Sequence, residues 1–179
     1  MLVVVAYASH FGCTRAVAEA IAAGLCAGPE PPDVECRLAA HLDLALVTGA
    51  DLLVVGAPTH HRTLPTSGTS VVAQQLARLG KSRRNGGDPS VDLRAWLKHL
   101  PRPDGAGRAA AFDTRLPVRG AGGAGWAIAH RLRRHGYHLV EPVEGFVVEG
   151  PQGPLRAGEL DHAGSWGGLL RRALRAGVP

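Results

Sequence analysis

Two uninterrupted apolar runs, Leu2 to Ala6 and Asp51 to Ala57, restrict the fold of this chain more than any other feature. A strand with one wet face alternates apolar and polar residues, whereas a strand covered on both faces reads as a continuous apolar run. Runs of this kind call for a parallel sheet with helices on both sides. Between them, Val34-Glu35-Cys36-Arg37-Leu38 alternates apolar with charged residues and reads as an edge strand.

Helical spacing fills the intervals. Thr14 to Leu25 places Val17, Ala20, Ile21, Gly24 and Leu25 on one side, and Gly28-Pro29 ends that helix. A fourth strand is expected at Arg108 to Phe112, then a glycine-rich loop and a helix from Trp126 to Arg134 closed by His135-Gly136. A fifth strand begins at Tyr137 to Val140, breaks at Glu141-Pro142-Val143-Glu144 and resumes at Gly145 to Val148. The last helix runs from Glu159 to Leu174, with Leu160, Trp166, Leu169, Leu170 and Ala173 on its apolar side. Two helical pieces, Ser70 to Leu79 and Val91 to Leu100, flank a polar surface loop from Lys81 to Pro89. Five strands alternating with helices give a doubly wound α/β fold with a five-stranded parallel sheet. The early edge strand sets the order 2-1-3-4-5.

The 179 residues suffice for a single domain, 1–179, with a core on each face of the sheet. No apolar run approaches about 18 residues and no basic flank with a cleavage site opens the chain, so neither a membrane span nor a signal peptide is expected. Cys13, Cys26 and Cys36 show no metal-type spacing and suit a reducing compartment. A cytoplasmic, soluble protein is the expectation. Cys13 has two readings, a thiol activated by a helix N-terminus or a small packing residue. The formal net charge is +5. Its basic residues are spread and mostly arginine, and Arg131-Leu132-Arg133-Arg134 and Arg171-Arg172 read as solvated helix faces, so nucleic acid is not expected as a partner.

Ligands of doubly wound sheets sit beyond the carboxyl ends of the strands, where the strand order reverses. Three polar loops emerge there. The first strand runs into Ser9-His10-Phe11-Gly12-Cys13-Thr14, where unpartnered amides at a helix start, the hydroxyls of Ser9 and Thr14, and Gly12 suit a phosphate; an ordinary N-cap is the competing reading. Strand three leads into Pro58-Thr59-His60-His61-Arg62, and strand four into Asp113-Thr114-Arg115-Leu116-Pro117. Three convergent loops outline a binding site.

On these residues the chain resembles the flavodoxins. Tyr7 to Thr14 is similar to their phosphate loop, Gly56-Ala57-Pro58-Thr59 to their second loop, and Phe112-Asp113-Thr114-Arg115 occupies the place of the third. The split fifth strand with Gly145 and Glu149-Gly150 extends the resemblance over essentially the whole chain. It implies FMN bound without a covalent link and electron transfer with a redox partner protein. Ser9, His10, Gly12, Cys13 and Thr14 would hold the phosphate, with Phe11 replacing a hydroxyl residue often found at that loop position. Pro58, Thr59, His60 and His61 would border one side of the ring, and Asp113, Thr114 and Arg115 the other. Arg62, Arg115 and the histidines would then raise the flavin potential relative to an acidic flavodoxin.

The aromatic side chains that the family stacks on the ring are scarce. Phe11, His60 and His61 are the flat groups at hand; Trp96 and Trp166 read as core, and Trp126 is left open. Two other functions stay in view: an FMN-dependent reductase of quinones or similar small molecules, and a flavodoxin-like scaffold without flavin. Gly120 to Gly125 matches GxGxxG but does not follow its strand at once, and Gly80-Lys81-Ser82 lacks the first glycine of a Walker loop. A receiver domain would need acidic residues at the end of strand one, where Tyr7-Ala8-Ser9 stands.

Overall fold

The computed structural model describes residues 1–59, 92–103, 105–117 and 123–176. The expected helix at Ser70 to Leu79, the loop at Lys81 to Pro89, and His60, His61 and Arg62 lie outside them. Among the described residues, β1 is Leu2–Tyr7, β2 Asp33–Leu38, β3 Leu52–Pro58, β4 Arg108–Arg115, β5 His138–Leu139 and β6 Glu144–Val147. The sheet is parallel with order β2-β1-β3-β4-β5, and β6 also pairs with β4. β5 and β6 are two halves of one edge. β5 meets the start of β4 at Arg108 and Ala109, and β6 meets its end from Phe112 to Arg115. Pro142, which has no N–H to donate, stands in the break between them.

The helices are α1 (Cys13–Cys26), α2 (Leu44–Thr48), α3 (Leu93–Lys98), α4 (Ala124–Arg134) and α5 (Glu159–Ala176). Because strand side chains alternate, each central strand feeds two cores. Val4, Ala6, Leu53, Val55, Ala109 and Ala111 pack with α2, α3 and α4. Val3, Val5, Leu52, Val54, Ala110 and Phe112 pack with α1 and α5. Phe112, Phe146 and Trp166 form an edge-on trio at centroid distances of 6.0–6.3 Å. Gly56 pairs with Phe112 and leaves the space its ring occupies; a Cβ there would overlap the ring. Of the remaining tryptophans, Trp96 packs part-buried against the first core and Trp126 is 58 % exposed.

The apolar side of α5 departs from expectation. Leu160 and Leu169 are exposed, while Ala163, Trp166, Gly167, Leu170 and Leu174 are buried. The reason is the partner helix. α5 lies backbone to backbone on α1, where a Cβ added at Gly24 would run into the Gly164 carbonyl and one at Gly167 into the Ile21 carbonyl. Small residues, rather than the largest ones, therefore define the contact. Gly24→Leu is expected to lower the unfolding free energy in urea by about 1–3 kcal/mol, since the overpacked helices must separate. A variant as stable as wild type would contradict this packing.

Candidate functional site

The carboxyl edge of the sheet is where β1, β3 and β4 release their loops. After β1, the chain turns through Ser9 to Gly12 into α1, and Gly12, the N-cap, sits at φ 93°. This left-handed conformation strains any residue with a Cβ. The Ser9 side chain is fully buried and its Oγ accepts from the Gly12 amide at 3.1 Å and the Arg15 amide at 3.3 Å. It therefore folds the loop around itself. Thr14 is also buried, with its hydroxyl 2.9 Å from that of Thr114 on β4. Both hydroxyls are engaged inside the protein, and Ser9 takes up the Gly12 and Arg15 amides, which leaves the amides of Cys13 and Thr14, in a first turn that carries partial positive charge, as donors for an anion. His10 is buried and Phe11 half-buried, their rings edge to face at 6.4 Å.

Cys13 is a packing residue. Its sulfur faces Gly153, where a Cβ would approach it to 2.7 Å. Burial pushes the thiol pKa up, which opposes activation at the helix start. The contact brings in a fourth segment, the short turn after β6 in which Val148 bridges Leu155.

β4 runs to Arg115, three residues beyond the expected end at Phe112, so Asp113, Thr114 and Arg115 are strand residues. Strand alternation divides them. Thr114 faces α1 and meets Thr14, whereas Asp113 and Arg115 face α4. The Asp113 carboxylate is fully buried. Its Oδ2 accepts from the Gly125 amide at 2.9 Å and the Thr59 hydroxyl at 3.1 Å, and Oδ1 lies 3.5 Å from Arg115 Nε. Thr59 Oγ1 in turn accepts from the Ala124 amide at 2.9 Å, and the Thr59 amide donates to the Thr114 carbonyl at 2.8 Å. One carboxylate thus joins the ends of β3, β4 and α4. Arg115 lies along Gly145, where a Cβ would overlap its guanidinium, and its charge is opposed by Asp113.

Gly123 and Gly125, part of the glycine-rich loop expected from sequence, make this junction possible. A Cβ at Gly123 would overlap Asp113 Oδ2, and one at Gly125 would press on Val143. The sequence signal was present in the glycine run, but its cause is close approach to a carboxylate. Pro58 lies at the rim at the end of β3, His60 and His61 are outside the described residues, and the exposed Trp126 stands on the first turn of α4.

No family model and no curated protein matches the chain. Solved structures do. A flavodoxin from the domain Archaea is similar at 19% identity and TM-score 0.67, over 98% of this chain and 99% of that one. The fold is flavodoxin-like. Flavodoxin 1 from Bacillus cereus matches at 15% identity and TM-score 0.66 over the whole of both chains. A flavodoxin, WrbA-like protein from Agrobacterium tumefaciens matches at 17% identity and TM-score 0.57 over 98% of each. In this flavodoxin-like sheet the loops described above occupy the reversal of strand order between β1 and β3. Among the described residues, no helix is long and apolar enough to cross a membrane.

Burial raises the pKa of Asp113 above the ordinary carboxylate range, outweighing the opposing pull of the Gly125 amide, Arg115 and Thr59. A carboxyl that titrates higher in the folded than the unfolded chain makes the protein lose stability as pH rises from the unfolded value near ~4 through the folded one. Urea unfolding across that window is therefore expected to show wild type falling relative to Asp113→Asn, then running parallel above it. Asp113→Ala, which strands two donors, is expected to cost about 2–4 kcal/mol at neutral pH. A pH-independent difference between wild type and Asp113→Asn would contradict the assignment.

Proposed function

We propose that this chain binds FMN at the carboxyl edge of its sheet and transfers electrons to or from a protein partner. The observation that carries the reading is the Ser9–Thr14 turn: a left-handed Gly12 and a buried Ser9 shape a helix start, a position that favours an anion, at the reversal of strand order. These residues fit the phosphate end of FMN, with binding carried by the backbone amides of Phe11, Cys13 and Thr14. Thr114 supports that turn through Thr14, while Pro58 and Thr59 border the ring on the β3 side together with His60 and His61. Asp113 and Arg115 act by positioning, holding Thr59 and the start of α4 rather than facing the ring.

FMN supplies one- and two-electron redox chemistry when bound; the protein sets its orientation, its access to solvent and the charge around it. The fully buried Asp113 gives the second and third loops a fixed separation, which a planar ring between them requires. Three free thiols support a reducing compartment, in keeping with a cytoplasmic carrier.

The purified chain incubated with FMN is expected to retain one equivalent through gel filtration and to show a bound-flavin visible spectrum. Gly12→Val, which forces a β-branched residue into the left-handed region, is expected to weaken binding at least about tenfold. A chain that takes up no FMN would overturn the reading. Absence of NAD(P)H-driven quinone turnover by the isolated protein is expected of a carrier, and brisk turnover would instead assign it to the reductases.

A further inference from the structure

β2 ends the sheet, and its pairing with β1 fixes which backbone groups form the outer edge. The Asp33 amide donates to the Met1 carbonyl at 2.9 Å, and in a parallel ladder alternate residues bond to the same neighbour, so Asp33, Glu35 and Arg37 turn their N–H and C=O toward β1. Val34, Cys36 and Leu38 turn theirs away, and among the described residues no strand pairs with them. An open edge is a template for a further strand, and proteins that keep one unpaired blunt it with proline, lysine or a bulge. β2 contains neither proline nor lysine, and its register with β1 runs unbroken from Asp33 to Leu38.

The charges on this edge are complementary to a second copy of themselves. Val34 and Cys36 pack toward the core shared with α1 and α5, so Glu35 and Arg37 share the opposite face, where they pair with each other. In an antiparallel pair made by a two-fold axis, outward-turned residues must meet outward-turned residues, which leaves few registers. An axis at Cys36 sets Val34 against Leu38 and Glu35 against Arg37. Moving the axis to Glu35 or to Arg37 sets that residue against its own copy, and like charges directly opposite repel. Charge therefore selects one register. α1 repeats the pattern on the other face: Arg15 and Glu19 form an ion pair at 2.7 Å and stand near enough to Cys36 for both charges to act on its thiol, so an axis there also presents both signs to their copies.

We propose that β2 is a self-association edge, at which two copies of this chain pair antiparallel about a two-fold axis at Cys36 and join their sheets into one. Glu35 of each copy then stands opposite Arg37 of the other, and the outward backbone groups of Val34, Cys36 and Leu38 gain partners. β2 lies on the far side of β1 from β3 and β4, so the pairing stays clear of the Thr59 and Asp113 junction and does not depend on whether the chain binds FMN.

The test is sedimentation equilibrium of the full chain from the micromolar range to about 1 mM. Wild type is expected to show a concentration-dependent equilibrium between monomer and dimer. Glu35→Lys puts two cations opposite each other and Arg37→Glu two anions, so each alone is expected to raise the dimer dissociation constant at least about tenfold while far-UV circular dichroism reports an unchanged fold. Mixing the two variants restores opposite charges at both cross-strand positions, as does the exchange E35R/R37E within one chain, and both are expected to recover the dimer. The mixture also shows that neither variant lost association by misfolding. A wild type that stays monomeric throughout that range, a dimer that neither charge reversal weakens, or a dimer that both weaken and their mixture fails to restore would overturn the proposal.

Discussion

A single buried carboxylate governs the carboxyl edge of this sheet. Asp113 has no contact with water, so its charge must be met by protein groups, and the groups that meet it come from three directions: Thr59 after β3, Gly125 at the start of α4, and Arg115 on its own strand. Each partner is held where the oxygen needs it. The glycines at 123 and 125 follow from that demand, because a side chain at either would occupy space taken by the carboxylate or by Val143. The geometry of two of the site's loops is thus set from beneath.

The other half of the site depends on the same strand. Side chains alternate along β4, so one step beyond Asp113 the hydroxyl of Thr114 emerges on the opposite face and reaches Thr14 in the first turn of α1. The turn between β1 and α1 and the β3 and β4 junction are therefore fixed by consecutive residues. Ser9 completes the arrangement from within, where its buried oxygen replaces the water that the Gly12 and Arg15 amides would otherwise need. Hydroxyls that look from the sequence like ligands for an anion serve instead to shape the backbone that would hold it.

The fold was legible because its cause is local. Runs such as Leu2 to Ala6 announce burial on both faces, Val34 to Leu38 announces an edge, and the order β2-β1-β3-β4-β5 follows from their succession. What was not legible depends on contacts across the chain. The end of β4 was placed too early because Asp, Thr and Arg look like loop residues, and only pairing with β6 and the partners of Asp113 draw them into the sheet. The buried side of α5 was misread toward Leu160 and Leu169 because large apolar residues attract the eye, whereas a backbone-to-backbone contact with α1 selects Ala163 and Gly167. Cys13 sits at a helix start that would lower its pKa, yet the Gly153 turn covers it and raises it.

An FMN phosphate anchored at the turn between β1 and α1 would be held by backbone amides, and these report its arrival. Two-dimensional amide NMR of the labelled chain titrated with FMN measures this directly. The largest shift changes are predicted at the amides of Phe11, Cys13 and Thr14, with smaller ones at Thr59 and near Asp113, and little at Arg94, Arg131 or Arg134. Saturable changes centred on α3 and α4, with the Phe11, Cys13 and Thr14 amides unmoved, would contradict this anchoring.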